Sequence, residues 1–520
     1  MDNNKLLSDT NDSQKKLTPW MVYAICLVLS AVFFLFFGFN SPIYTFNSDS
    51  DYHWFLTMGN SLKNGKIPYR DLFEQKGPIV YFVYAFCCLF PNPGIAVFFL
   101  EIFCMSLFFF FAYRICHKYL NNFYSLLALP ILAFTIFTCW CRMRSGAAVE
   151  EFMLPIYAYF LLCWLEFLQE KRAWTWIRSL CLGLCFGVML WVKYTLFYFM
   201  LTPMIIWLIL SLRRRQIKTL ILNALWIIAG LLIITAPILI FYALHHALDD
   251  LIYCYFYINL TAYGTTSPLV ILASFGLFFT IGPALLVLII YGIIRFSVQY
   301  WYERTGWLVL TAFLINLGLL VYSSKMISYY YGELIPYAIF GVIYILKWLS
   351  SKISTKYCKH LTYIIVVTAL IVLCIPFSII TYEWGRNKDE YIPLVVADII
   401  HDYEANNHTE ATLFYYKIGD FGFYNAADII PNNYFFANNV IDEERFPEMY
   451  SQIQECITNQ TSDFVITNLS TWNNPEEHAL LSQYYEIYKS ENNETPTSFH
   501  YHRVHYFYYR DFDFVLLIKK

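Results

Sequence analysis

Apolar residues fall along this chain in long unbroken runs, without the alternation of a half-buried strand. A helix needs roughly 20 apolar residues to cross a bilayer core. Runs of that kind recur between Trp20 and Thr381. They predict eleven spanning helices, at 20–40, 95–115, 123–140, 152–169, 177–192, 196–212, 219–242, 268–294, 306–322, 334–348 and 361–381. Continuous runs argue against a transmembrane β-barrel, whose strands alternate. The run at 78–90, PIVYFVYAFCCLF, has 13 residues and is expected to lie in the interface or re-enter it. The first run follows Lys15 and Lys16 and shows no small-residue cleavage site, so it reads as a retained spanning helix.

Near Trp384 the pattern changes. The chain becomes polar and rich in Asn, Asp and Glu, yet keeps the strand-like runs TLFYYKI (412–418), DFVITN (463–468) and DFVLLIKK (513–520). Between them Phe446, Met449, Ile453 and Ile457 share a helical stripe within 445–457. Strand, helix, strand order predicts a small α/β domain with a partly parallel sheet. The expected fold is therefore an α-helical polytopic membrane protein with a C-terminal extracytoplasmic α/β domain. The transmembrane domain is 1–383, with outer loops 41–94, 141–151 and 322–336, and the α/β domain is 384–520.

Composition and charge sharpen this picture. The chain is 58% hydrophobic and 14% charged, against roughly 25% charged in soluble domains. Its surroundings are a lipid bilayer, and a net charge of −3 points to no nucleic acid. Of the 14 cysteines only Cys456 lies in the polar C-terminal region, which excludes an internal disulfide there. His245 and His246 stand as a lone pair, and no His/Cys cluster has zinc spacing. With the N-terminus in the cytoplasm, 18 Lys and Arg fall at cytoplasmic loop ends and 8 on the opposite side. Letting 78–90 span would invert every later loop and erase that bias. Eleven spans then put the C-terminus outside.

Charge placed outside against this bias needs a reason. The first outer loop carries Asp49, Asp51, Lys63, Lys66, Arg70, Asp71, Glu74 and Lys76. The second, CRMRSGAAVEEFMLP, carries Arg142, Arg144, Glu150 and Glu151, and the third, YSSKMISYYYGELIP, carries Lys325, Tyr329 and Tyr330. Each has a bland reading. Asp49 and Asp51 can be solvated acids, and Lys63, Lys66 and Arg70 can snorkel. Glu150 and Glu151 complement a helix dipole, and Arg142 or Arg144 can pair with them. Tyr329, Tyr330 and Tyr331 fit an aromatic belt. Glu101 and Glu166, inside spans, fit polar packing away from the outer face. Taken together the groups describe one chemistry. A carboxylate deprotonates a hydroxyl, cations hold an anionic head group and stabilise a departing phosphate, and an interface helix takes a lipid tail. That fits sugar transfer from a polyprenyl-phosphate carrier.

The order of these motifs resembles the GT-C superfamily of integral membrane glycosyltransferases, in the branch of the protein O-mannosyltransferases and aminoarabinose transferases. The residues that carry the resemblance are DYHWFLTMG with Asp51, Phe55 and Gly59, then QKGPIVYF with Lys76, Gly77, Pro78, Tyr81 and Phe82. An acid follows at the fourth span, Glu150 or Glu151, and then SKMISYYYGELIP with Lys325, Tyr329 and Pro336. The first motif departs from the commoner DE pattern, so Asp49 competes with Asp51; Ser328 stands where the family often has His. The resemblance covers roughly residues 20–350. It implies an inverting single displacement in which Asp51 is the general base, with Asp49 in support, on a hydroxyl of a cell-envelope acceptor (glycan, teichoic acid, lipid or protein). It implies that Lys76 and Lys325, with Arg142 or Arg144 and Tyr329 or Tyr330, bind the donor phosphate. Glu151, or Glu150 beside it, would position the acceptor. No cofactor is required on this reading, because Lys and Arg offset the phosphate charge; a divalent metal stays open. The alternative is a non-catalytic flippase or transporter for lipid-linked sugars, for which mid-membrane charges or repeat symmetry would speak. Register separates the two aspartates: Phe55 and Gly59 follow Asp51 at i+4 and i+8, while Asp49 falls where it would cap that helix.

Overall fold

The structure, a computed structural model, describes residues 17–141, 143–171, 173–262, 267–324, 326–352, 386–437, 441, 443–489, 497–505 and 508–520. Arg142, Lys325 and the expected span 361–381 lie outside the described residues. The apolar runs form helices α1 (Pro19–Phe37), α4 (Pro93–His117), α5 (Asn122–Thr138), α6 (Val149–Glu170), α7 (Trp176–Val192), α8 (Tyr198–Arg213) and α9 (Ile217–Leu244). Between α1 and α4 lie two short helices, α2 (Ser50–Lys63) and α3 (Pro78–Cys87). Among the described residues seven helical stretches are long and apolar enough to cross a membrane, or eight if one bent pair counts as a span. The chain is a multi-pass membrane protein. Helices α5 and α7, at 17 residues each, fall just short of that length.

Two expectations change. The run 268–294 is not one rod: Pro268–Phe278 and Pro283–Gln299 meet at a 90° bend. Gly282–Pro283 stands at the corner, where the proline ring fits a first helical position and cannot continue the preceding helix. The expected outer loop 322–336 is also largely helical. Ser328–Tyr337 forms tight turns that run directly into the helix Ala338–Lys352. The segment 78–90 forms the ten-residue α3, too short to span.

The polar C-terminal region folds as a five-stranded sheet with helices. Its strands are β1 (Leu413–Tyr415), β2 (Phe464–Asn468), β3 (Tyr485–Ile487), β4 (Phe499–His505) and β5 (Tyr508–Lys519). β1 and β2 are parallel, and β5 runs antiparallel to β2, β3 and β4. The helix Pro447–Thr458 buries Met449, Ile453 and Ile457, the stripe read from the sequence. This sheet region packs on the segment between α1 and α4. Phe73 donates its N–H to the Tyr434 carbonyl at 2.9 Å. Its ring meets Tyr434, Phe435 and Phe446. The sheet region and loops 38–77 thus sit at one end of the helical bundle. The far end of α6, some 25 Å away at 1.5 Å per residue, is closed by Glu166 with Arg178 and Lys118.

Candidate active site

α2 begins where Asp49 caps it. The Asp49 carboxylate accepts the Asp51 N–H at 3.1 Å, and its own N–H donates to Asn47 Oδ1 at 2.8 Å. Asp49 is buried, whereas Asp51, in the first helical turn, is half-buried. The register read from the sequence appears as packing. Phe55 meets the Tyr84 ring at 5.6 Å, and α2 crosses α3 at Gly59, against Tyr84 and Ala85.

Lys76 precedes α3 and is placed by Gly77. A β-carbon on Gly77 would lie 2.0 Å from the Trp191 carbonyl oxygen, so only glycine allows the approach. The Gly77 N–H donates to the Val192 carbonyl at 3.0 Å. Lys76 is thereby brought to the turn that holds Lys193, close enough for the two charges to repel.

Lys193 is the residue that sequence reasoning missed. It sits between two apolar helices, and its ammonium donates to Glu150 Oε1 at 2.7 Å. The same ammonium lies 3.2 Å from the Tyr330 ring centroid and 5.7 Å from that of Tyr329. Glu333, also buried, acts electrostatically on both Lys193 and Glu150. A lone lysine between apolar runs on the charge-poor side was the available signal. Its partner stands 43 residues away in sequence, which no periodicity reveals.

This geometry revises two bland readings and sharpens a third. Tyr329, Tyr330 and Tyr331 are buried and are not a lipid-facing belt. Glu150 and Glu151 do stand in the first turn of α6, as the dipole reading has it, but at 0% and 1% exposed they are dry acids. Glu101 is not remote from the outer loops: Asn40 Nδ2 donates to its Oε2 at 3.1 Å, and its carboxyl adjoins Glu151. Asn40 also joins Asn47 and the Ser145 carbonyl, which ties Glu101 to the start of α2. Arg144 is buried beside the Phe39 ring, 5.6 Å from its centroid. Arg142 and Lys325 lie outside the described residues. Among the described residues no group of three or more His, Cys, Asp or Glu is placed to hold a metal.

A cavity of about 270 Å³ lies between α2, α3, α4, α6 and α7, lined almost wholly by apolar atoms. Its walls include Phe55, Ile79, Leu100, Val149 and Val192. Each stands within four residues of Asp51, Lys76, Glu101, Glu150 or Lys193. Ile79, Val83 and Leu100 also line a larger groove of about 810 Å³ between α3 and α4. Exposed Phe86, Phe90, Phe99 and Phe103 flank that groove on the outside of the bundle.

Comparison with known proteins adds the following. Residues 75–241 match the family described as dolichyl-phosphate-mannose-protein mannosyltransferase, a stretch that holds Lys76, Glu150, Glu151 and Lys193. No curated protein sequence matches the chain. ArnT from Cupriavidus metallidurans in the apo state aligns over 96% of this chain and 97% of its own, at 12% identity and a TM-score of 0.56. The fold is that of the GT-C glycosyltransferases. The apo oligosaccharyltransferase of Archaeoglobus fulgidus aligns over 92% of this chain and 74% of its own, at 13% identity and a TM-score of 0.50. AglB from the same organism, in complex with an inhibitory peptide and a dolichol-phosphate, aligns over 91% and 73%, at 11% identity and a TM-score of 0.47. The resemblance to the GT-C superfamily read from the motifs is thus found again in the fold. At these identities the structural likeness speaks to fold alone.

Proposed function

We propose that this chain transfers a sugar from a polyprenyl-phosphate donor to a hydroxyl of a cell-envelope acceptor on the outer face, in one inverting displacement. The observation that carries this reading is the buried Lys193–Glu150 pair under the Tyr330 ring, next in sequence to Val149 and Val192 of an apolar cavity that shares Ile79, Val83 and Leu100 with a groove on the outside of the bundle. A ligand that fits both parts has an anionic head and a long hydrocarbon tail. Lys76 and Lys193 take the phosphate, with the Tyr330 ring and Glu150 fixing the Lys193 ammonium. Arg142, Arg144, Lys325 and Tyr329 are proposed as further contacts to the donor head group.

In the reaction the Asp51 carboxylate removes the acceptor hydroxyl proton as that oxygen bonds to the anomeric carbon. The bond from that carbon to the phosphate oxygen breaks, and its electron pair leaves with the polyprenyl phosphate. Charge that builds on the leaving oxygen meets two fixed ammonium groups, which favours the transition state. Asp49 holds the helix start and does not take the proton. Glu151, buried against Glu101, supports the loop that precedes α6.

The test is transfer from a labelled polyprenyl-phosphate sugar to an envelope extract by the purified chain in detergent. Asp51→Asn is expected to lower the rate by about 10²–10⁴-fold with donor affinity kept. Lys76→Ala is expected to weaken the donor. Normal turnover by Asp51→Asn, or absence of any polyprenyl-phosphate binding, overturns the reading.

A further inference from the structure

The helix that carries Asp49 and Asp51 is gripped on a second face by the C-terminal sheet region. Thr57 and His53 lie on the side of α2 away from Phe55 and Gly59, as 3.6 residues per turn requires. Thr57 Oγ1 donates to Asp420 Oδ2 at 2.6 Å. Asn425 Nδ2 donates to Thr57 Oγ1 at 2.9 Å and to the His53 carbonyl at 3.0 Å. Asp420 is fully buried and is itself held by the Gly422 N–H at 2.8 Å and the Tyr415 hydroxyl at 3.1 Å. Gly422 has φ of +96°, and a β-carbon there would come within 2.7 Å of the His53 and Phe46 rings. Only glycine meets both demands. Trp54, one position along α2, packs on Phe436 at 5.4 Å between ring centroids.

Such a contact is costly to build for simple attachment. A carboxylate buried at a junction loses its hydration and holds only if its donors are in place. Apolar packing such as Phe73 on Phe435 and Phe446 already attaches the two regions. What a directional set of hydrogen bonds adds is register: it fixes the rotation and the height of α2. A shift of about 1 Å in a reacting group can cost about 10²-fold in rate. We infer that Asp420 and Asn425 are positioning residues of the transfer reaction, which hold α2, and with it Asp51, in the reactive register. The C-terminal sheet region is then part of the active site's scaffold. The inference rests on the reading of Asp51 as the base.

The experiment uses the full chain in detergent with Asp420→Ala, Asp420→Asn, Thr57→Val and the Asp420→Ala/Thr57→Val pair. Three quantities are measured: transfer rate, affinity for a polyprenyl-phosphate sugar, and hydrogen exchange of the α2 amides. Asp420→Ala and Thr57→Val should each lower transfer by about 10-fold or more and speed α2 exchange, with donor affinity held within about 2-fold. The pair should be no worse than the poorer single variant, since both remove one contact. Asp420→Asn should restore most of the rate, because its amide oxygen can take the Gly422 and Tyr415 donors while its amide N–H donates to Thr57 Oγ1. Unchanged transfer and exchange in Asp420→Ala and Thr57→Val overturn the inference. So does loss of donor affinity in parallel with rate, which marks a stabilising contact only. If Asp51→Asn turns over normally, the reading of the base fails, and α2 exchange still decides whether the grip exists. Should Asp420→Ala fail to fold, Thr57→Val, which removes the same bond from the helix side, decides alone.

Discussion

α6 carries acids at both ends, and the two ends differ. At its C-terminal end Glu166 meets Arg178 at 2.5 Å and Lys118 at 3.9 Å, while Glu170 takes Lys118 at 2.7 Å. The cations there are partly exposed, at 37% for Arg178 and 21% for Lys118. This end is a clip between helices, and water shares its charge. At the other end Glu150 is fully buried, it pairs with Lys193, and an aromatic ring covers the ammonium. Among the described residues Glu150 Oε2 and Glu333 Oε2 have no hydrogen-bond partner. An apolar cavity opens one residue away, at Val149 and Val192. A charge that serves packing is satisfied in place. On the proposed function, the dry Lys193–Glu150 pair beside the apolar cavity is the part that meets the charge of the donor. The same residue types on one helix thus take different duties from their surroundings.

The comparison can be broken most completely by sidedness. The bias of basic residues and the shared location of loops 38–77 and the sheet region predict that the Glu150 end faces outward. A reporter active only in the cytoplasm, fused after Lys520, is expected to stay silent. A signal there would put the cavity on the wrong side for an envelope acceptor. Next in size is Lys193→Ala. Removing one partner of a buried pair costs about 3–5 kcal/mol, read as a fall in thermal or denaturant stability, and donor binding should be lost. The paired change Lys193→Met with Glu150→Gln should recover most of the stability and none of the donor binding. Recovery of both would show that the pair serves packing, as at the other end.

At the clip the effects should be small. Glu166→Gln is expected to cost about 1 kcal/mol or less, with transfer unchanged, because partly exposed pairs contribute little. A loss of transfer there would erase the contrast between the ends. The smallest effect concerns the junction that holds α2. Burial pushes the Asp420 carboxyl up to about 6 from an ordinary 3.8, against hydrogen bonds from Thr57, Gly422 and Tyr415 that favour its ionised form. The folded state therefore binds this proton more tightly than the unfolded chain. Its contribution to stability is full below about pH 4 and is lost as pH rises toward 6. Asp420→Asn should flatten that part of the curve of melting temperature against pH. An unchanged slope would remove Asp420 as its source.

Much of this was legible from residues close together in the chain. The runs of apolar residues became helices because in lipid the backbone must satisfy its own hydrogen bonds. Asp49 as the cap of α2, and Phe55 and Gly59 on one face after Asp51, follow from local geometry. The strands at Leu413–Tyr415 and Phe464–Asn468 are short apolar runs rich in aromatic and β-branched residues, and the stripe of Met449, Ile453 and Ile457 follows from a period of 3.6. Lys76 was singled out by its place before an apolar helix. The bend at Gly282 was not foreseen, because two apolar half-helices read as one run when only hydropathy is followed.

What the sequence by itself determined was most of the long helices, three of the strands and the buried stripe of Pro447–Thr458, since those depend on neighbours a few positions apart. Tertiary structure alone decided which charges meet. Lys193 and Glu150, Glu101 and Glu151, and Thr57 and Asp420 are joined across 43, 50 and 363 positions. Nothing local marks these pairs. Burial turns an ordinary lysine and an ordinary glutamate into a fixed dry pair, and burial is a property of the assembled bundle. The cavity they border is likewise a space between helices, and it exists only once α2, α3, α4, α6 and α7 have packed.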